Sequence, residues 1–196
     1  MGKIFCLMGK SSSGKDTIYK MLLEQKDILL GTIIPYTTRP IRSGEQEGVE
    51  YHFSTEEQLQ QLLEENRIIE LRQYNTIHGV WKYFTVNDGQ IDFQTGNYLI
   101  IGTLESYEKI RRYYGEELVL PIYIEVDDGL RLQRALDRER LQENPKYTEM
   151  CRRFIADAED FSEEKLKEAG ISKRFFNEER EQTVSDILLY IKEKSQ

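Results

Sequence analysis

The chain has 196 residues, 39% of them hydrophobic, which suits one soluble domain with a sizeable core and room for an inserted subdomain. Its 27 Lys and Arg against 35 Asp and Glu leave a formal charge of −8, which argues against a dedicated nucleic-acid binder, and no apolar run approaches the ~20 residues of a membrane span. Two distant cysteines, two histidines (His52 and His78) and no signal-like N-terminus exclude a disulfide framework and a thiolate zinc site, and favour a reducing, cytoplasmic setting.

In chain order, KIFCLM at 3–8 is a short apolar run ending at Gly9, and reads as a buried strand of a parallel sheet. Asp16 to Gln25 carries Ile18, Met21 and Leu22 at helical spacing. ILLGTII at 28–34 reads as a second buried strand, stopped by Pro35. Residues 36–52 are polar and rich in Thr, Arg, Gly and Glu; long irregular segments of this kind are commonly functional. Ser54 to Gln58 holds overlapping capping boxes ahead of Leu59, Leu62 and Leu63, the start of a helix that fades near Asn66. Residues 67–74 and 80–86 read as a hairpin turning around Asn75 to Gly79. YLIIG at 98–102 is a further buried strand, Leu104 to Tyr114 a helix, and 118–126 a strand after which Asp127 or Asp128 caps the next helix. The stretch 130–160 holds Arg131, Arg134, Arg138, Arg140, Arg152 and Arg153, with Pro145 interrupting it. Ile171 to Phe176 is expected to be the last strand and 181–194 the last helix. Strands alternating with helices predict an α/β parallel sheet with helices on both faces.

The string Gly9-Lys10-Ser11-Ser12-Ser13-Gly14-Lys15 fits the GxxxxGK phosphate loop. Glycines allow the tight turn that aims backbone N–H groups at phosphate oxygens, the lysine reaches the outer phosphates, and the helix that follows turns its positive end to the anion. A serine-rich surface turn could match the same string, but here an apolar strand precedes it and a helix follows. The next residue, where a hydroxyl usually meets Mg²⁺, is Asp16, with Thr17 after it. Asp16 is either a metal-side carboxylate or a charge on the helix N-terminus; Thr17 is the natural hydroxyl donor.

A second constellation lies in YTTRPIRSGEQEGVEYHF at 36–53. Arg39 and Arg42, with Pro40 stiffening the chain between them, make a pair of guanidinium forks suited to a phosphate monoester. Glu45 and Tyr51 add a carboxylate and a phenol. The plain alternative is an exposed, salt-bridged loop. The segment resembles the TTRxxRxGExxGxxYxF signature of guanylate kinases, read as Thr37-Thr38-Arg39-Pro40-Ile41-Arg42-Ser43-Gly44-Glu45, then Gly48, Tyr51 and Phe53. In element order the resemblance covers nearly the whole chain.

The resemblance implies a P-loop core (1–33, 89–129 and 165–196), an inserted mixed α+β subdomain that binds the nucleoside monophosphate (34–88), and a helical lid (130–164). It implies that Gly9 to Thr17 bind ATP, with Arg134 and Asn177 beside them. Arg39, Arg42 and Tyr51 become ligands of the acceptor phosphate. Glu45 and Glu70 become acceptor-side carboxylates, Glu70 facing guanine N1 and N2, and Tyr83 and Thr85 the tyrosine and hydroxyl on phosphate and base. Lys15, Arg138, Arg140 and Arg153 become the charges on the transferring phosphoryl group. As a solvated helix face, the arginines of 130–160 would instead pair with Asp137, Glu139, Glu159 and Asp160.

Two further departures stand beside Asp16. Pro35 replaces a usual serine, and the core strand ends in Gly102-Thr103 where the family has aspartates that help bind the base and organise Mg²⁺. Thr103 is kept with the acceptor-side residues. The implied reaction is phosphorylation of GMP or dGMP by ATP with Mg²⁺, by in-line transfer, in a monomer or homodimer that engages neither nucleic acid nor membrane. A kinase with another acceptor and a non-catalytic guanylate-kinase-like binding module are the alternatives; such modules typically lose the phosphate loop, which is intact here.

Overall fold

The first six-residue strand, β1 (Ile4–Gly9), is buried along its whole length, as a strand flanked on both edges and both faces must be. The structure, a computed structural model, describes residues 1–76 and 79–195. Ile77 and His78, in the expected hairpin turn, and Gln196 lie outside the described residues. After β1 come α1 (Lys15–Leu23), β2 (Leu30–Thr32), β3 (Tyr36–Thr37), β4 (His52–Phe53), α2 (Glu56–Glu64), β5 (Ile68–Thr76) and β6 (Gly79–Val86). Then follow β7 (Asn97–Ile101), α3 (Leu104–Tyr114), β8 (Val119–Glu125), α4 (Asp128–Arg140), α5 (Tyr147–Asp160), α6 (Glu163–Glu168), β9 (Arg174–Phe176) and α7 (Arg180–Lys194).

One sheet has the order β2-β7-β1-β8-β9, and every neighbouring pair is parallel. Period-two alternation in β1 divides its side chains between two cores. Phe5 and Leu7 pack with Ile18 and Leu22 of α1 and Val184, Ile187 and Ile191 of α7. Ile4, Cys6 and Met8 pack with Leu104, Tyr107 and Ile110 of α3 and Leu166 of α6. Each such aliphatic side chain, fully buried, contributes about 1.5–3 kcal/mol. Helices thus cover both faces. ILLGTII departs from expectation: only three residues form β2, and Leu29 is 88% exposed. The reason is position, because β2 pairs with β7 alone and is an edge strand.

The second sheet has the order β4-β3-β6-β5. Thr55 caps α2, its side chain accepting from the Gln58 N–H while the Gln58 side chain accepts from the Thr55 N–H. Leu59 of α2 then packs on Phe84 and Val86, with Leu62, Ile68 and Leu71 around them; Leu63 points out and is largely exposed. An irregularity between Ile68 and Glu70 shifts the register of β5 on β6. Beyond it Glu70 lies opposite Thr85 and Arg72 opposite Tyr83. Leu71 and Phe84, one residue out of phase, keep their side chains on the α2 face. The polar pairs therefore occupy the other face.

Candidate active site

The phosphate loop follows β1 directly. Gly14 is left-handed (φ 85°) and starts α1, and a Cβ there would lie 2.5 Å from Asn177 Nδ2. At Gly9 a Cβ would lie 2.8 Å from both the Ile124 carbonyl oxygen and Ser13 Oγ. Both positions therefore need glycine, one for its backbone conformation and one for space. Ser12 also has positive φ (63°). The hydroxyls of Ser12 and Ser13 are buried without a hydrogen-bond partner among the described residues, a costly state for a polar group unless a ligand supplies the bond. Lys15 is half-buried in the first turn of α1, and Asp16 and Thr17 are exposed beside it.

Residues distant in sequence brace this loop. Asn177 is buried, and its Nδ2 donates to the Ser13 carbonyl at 2.7 Å; Arg134 Nη2 donates to the Asn177 carbonyl at 3.3 Å. Asp157 of α5 accepts from the Ser11 N–H at 2.8 Å. Arg131 of α4, 1% exposed, donates to the Ser11 carbonyl at 2.9 Å and to Asp128 Oδ1 at 2.7 and 3.0 Å. It also lies 3.5 Å from Asp157 Oδ2 and 4.7 Å over the Phe154 ring. Lys10 reaches Asp128 at 3.5 Å. Arg138, Arg140 and Arg153 stand on exposed faces of α4 and α5, and Arg140 pairs with Asp137 at 3.5 Å.

The arginines of 36–53 are organised differently. Arg39 is 3% exposed and forks onto both oxygens of Glu45, at 2.8 and 2.9 Å. Its guanidinium lies 5.4 Å over the Tyr51 ring and 5.7 Å over that of Phe53, and its Nε is buried without a partner among the described residues. Glu45 also accepts from the Arg42 N–H at 2.8 Å. The Arg39 hydrogen bonds hold its carboxyl below the usual carboxylate range. So Glu45 orients Arg39 here. Arg42 is exposed, 5.9 Å over the Trp81 ring. Tyr83 bridges this cluster to β5, its ring 5.7 Å from Tyr51 and 5.6 Å from Tyr74. Burial, followed by the neighbouring Tyr83, raises the Tyr51 phenol above its ordinary value.

Glu70 is closed off. Arg72 holds it through Nε at 2.8 Å and Nη2 at 3.1 Å, and Thr85 Oγ1 donates to it at 3.0 Å. Burial acts to lower the Arg72 value, but the Glu70 charge and hydrogen bonds outweigh it and raise it. Arg72 Nη1 reaches Thr103 Oγ1 at 3.2 Å. Thr103 is the N-cap of α3, its Oγ1 accepting from Ser106 N–H and its N–H donating to Ser106 Oγ. A Cβ at Gly102 would lie 2.5 Å from Ser106 Oγ and 2.9 Å from Cys6 Sγ, so an aspartate has no room there. Burial pushes the Cys6 thiol beneath it up to about 12.

A path of contacts thus runs along the carboxyl ends of β1 and β7, where open α/β sheets bind ligands. The phosphate loop follows β1, Thr103 follows β7, and Arg72, Tyr83, Tyr51 and Arg39 continue outward. Arg72, Arg131 and Asp157 are the members of this site that sequence reasoning missed. For Arg72 a signal existed, since two residues from Glu70 on a strand means the same face. For Arg131 and Asp157 no local signal exists, because Ser11 is more than a hundred residues away.

The family model for guanylate kinase matches residues 1–82. That span includes the loop, the arginine segment and Glu70, and stops before Tyr83, Thr85 and the arginines of α4 and α5. A guanylate kinase of Fusobacterium nucleatum is 26% identical over 204 aligned residues, covering 97% of this chain and 96% of the relative. Guanylate kinases of Schizosaccharomyces pombe and Oceanobacillus iheyensis are 41% and 37% identical over 64 and 93 residues. Those two alignments take in 33% and 45% of this chain, which covers 32% and 45% of the relatives' own lengths. The crystal structure of a guanylate kinase from Anaplasma phagocytophilum superposes on the whole chain and 87% of its own, with a TM-score of 0.67 at 21% identity. That likeness shows the fold.

Proposed function

We propose that this chain is a guanylate kinase, like the relatives it resembles, and that it transfers the γ-phosphoryl group of ATP to GMP or dGMP, giving ADP and GDP or dGDP. The observation that carries this reading is a glycine-turned phosphate loop with two unpartnered buried hydroxyls at the end of β1, next to the end of β7, from which Thr103, Arg72 and Tyr83 lead to the Arg39 and Tyr51 cluster. Lys15 and the loop amides, from Gly9 to Thr17, would hold the donor phosphates. Arg39, through its unpartnered Nε, would take an acceptor phosphate oxygen with Arg42, Tyr51 and Tyr83. An acceptor phosphate is already anionic, so the chain needs no general base and contributes positioning and charge.

The division into core (1–33, 89–129 and 165–196), acceptor subdomain (34–88) and lid (130–164) belongs to the same proposal. Within it, Arg138, Arg140 and Arg153 stand on exposed helix faces, Arg140 beside Asp137, and would meet the transferring phosphoryl on lid closure, which excludes water. Among the described residues no cluster of three or more His, Cys, Asp or Glu could cage a metal. The exposed Asp16 beside Lys15 does fit Mg²⁺, which takes one or two carboxylates with substrate phosphates. Bound there, Mg²⁺ would neutralise charge between the β- and γ-phosphates.

The test is coupled ADP release with Mg²⁺-ATP and GMP, dGMP, AMP, UMP or CMP offered singly. GMP and dGMP should turn over, and Lys15→Ala should lower kcat by about 10²–10³. ATP binding without turnover of any monophosphate would overturn the proposal.

A further inference from the structure

Arg39 and Arg42 are held in opposite ways. Glu45 takes two donors of the Arg39 guanidinium and sets a negative charge against it. Arg42 gives Glu45 only its backbone: its N–H donates to the carboxylate at 2.8 Å, and its carbonyl accepts from the Glu45 N–H at 3.1 Å. Among the described residues the exposed Arg42 guanidinium makes no hydrogen bond or ion pair, and it lies over the Trp81 ring, 5.9 Å from the centroid. Strand register brings Trp81 there. Glu70 faces Thr85, Arg72 faces Tyr83, and Tyr74 faces Trp81; side chains two apart on a strand share a face. Trp81 is therefore the next rung outward on the face that carries Tyr83. It is half-buried and is the single tryptophan of the chain.

We infer that Trp81 is a positioning residue of the acceptor site, its ring holding the Arg42 guanidinium ready for the acceptor phosphate. The inference rests on the acceptor reading above and deepens it. A ring face attracts a cation through its quadrupole and leaves the in-plane N–H donors of a guanidinium open. A carboxylate instead occupies two of those donors and cancels the charge. With Arg39 already paired, the charge at this end without an ion-pair partner is that of Arg42, and a phosphate monoester recruits donors and charge together. An exposed arginine that wanders among its rotamers must be ordered as the phosphate binds, at a cost in affinity. One fixed at its backbone by Glu45 and at its tip by Trp81 is ordered beforehand.

The test measures kcat and KM for GMP and for ATP in Trp81→Leu, Trp81→Phe, Arg42→Gln and the Trp81→Leu, Arg42→Gln double variant. Leucine keeps apolar bulk without a ring and should raise KM for GMP about three- to tenfold, the factor that a cation–π contact supplies, with KM for ATP unchanged. Phenylalanine restores a ring and should bring KM for GMP back to within about twofold of wild type. On the Arg42→Gln background Trp81→Leu should change KM for GMP by less than about twofold, because the group it acts through is gone. The same rise on both backgrounds, or a parallel rise in KM for ATP, would mark Trp81 as merely structural and overturn the assignment. So would a phenylalanine variant as impaired as the leucine one, or a leucine variant like wild type. The contact itself is read without turnover: the emission of the single tryptophan in the free protein should change on Arg42→Gln, and unchanged emission overturns the inference. Wild-type turnover of GMP with any of these failures leaves the kinase reading standing, whereas no turnover of GMP removes that reading and this inference with it.

Discussion

Replacing Arg131 by Met tests whether the phosphate loop is held from outside. Methionine keeps much of the apolar volume against Phe154 and removes the guanidinium. Lost with it are a charged hydrogen bond to the Ser11 carbonyl at 2.9 Å and the cation 3.5 Å from Asp157. The first is worth about 1.5–3 kcal/mol. The second leaves a mostly buried carboxylate without a counter-charge, at about 1–3 kcal/mol. The bonds to Asp128 add little, about 0.5 kcal/mol, because that side chain is 55% exposed and screened. The total loss is about 3–6.5 kcal/mol, on the order of 10 °C in Tm for a chain of this size. Urea unfolding of Arg131→Met, Asp157→Asn and the double variant measures it, with a coupling of about 1–2 kcal/mol expected for two residues sharing Ser11. KM for ATP should rise in both single variants while KM for GMP stays. A loss under about 1 kcal/mol for Arg131→Met, or strict additivity in the double variant, would refute the reasoning.

The remaining predictions concern the acceptor cluster and the end of β7. Arg39 depresses the Glu45 carboxyl, so the ion pair is intact above the ordinary glutamate value of about 4.5. It is lost as pH falls through the lower folded value. The pair should accordingly add no pH dependence of its own to KM for GMP from pH 5 to 8, beyond that of the GMP phosphate, which titrates at about 6. Glu45→Gln should raise KM for GMP about 10–100-fold with KM for ATP unchanged, as initial-rate kinetics will show. Gly102→Ala forces a methyl against Ser106 Oγ and Cys6 Sγ. Thermal melts should show a loss of about 1–3 kcal/mol, and pairing it with Ser106→Ala should recover part of that loss.

Where structure follows from local periodicity, the sequence was a sufficient guide. Leu104 to Tyr114 appeared as a helix because Leu104, Tyr107 and Ile110 share one face and Thr103 caps it. The α2 start was legible in Thr55 and Gln58 for the same reason. ILLGTII misled because a run of apolar residues carries no sign of how many neighbours its strand has. In the candidate site, the glycines and lysine of the loop are contiguous and could be read together. The closure of Glu70 by Arg72 needed the strand register, and the bracing of Ser11 needed the packing of α4 and α5 beside the loop. Likewise, Gly102 looked like a missing acid and is a steric necessity, visible once Cys6 and Ser106 are placed.

The bonds from Ser11 to Arg131 and Asp157 also bear on motion. A hinged flap turns about its pins, and these two side chains are pins set in the loop itself, one near the start of α4 and one near the end of α5. A rigid swing of everything from 130 to 164 would tear out both. Any swing that preserves them is confined to the span from Leu132 to Ala156, with Pro145 near its outer bend. Its leverage falls on the two peptide units that flank the Ser11 Cα.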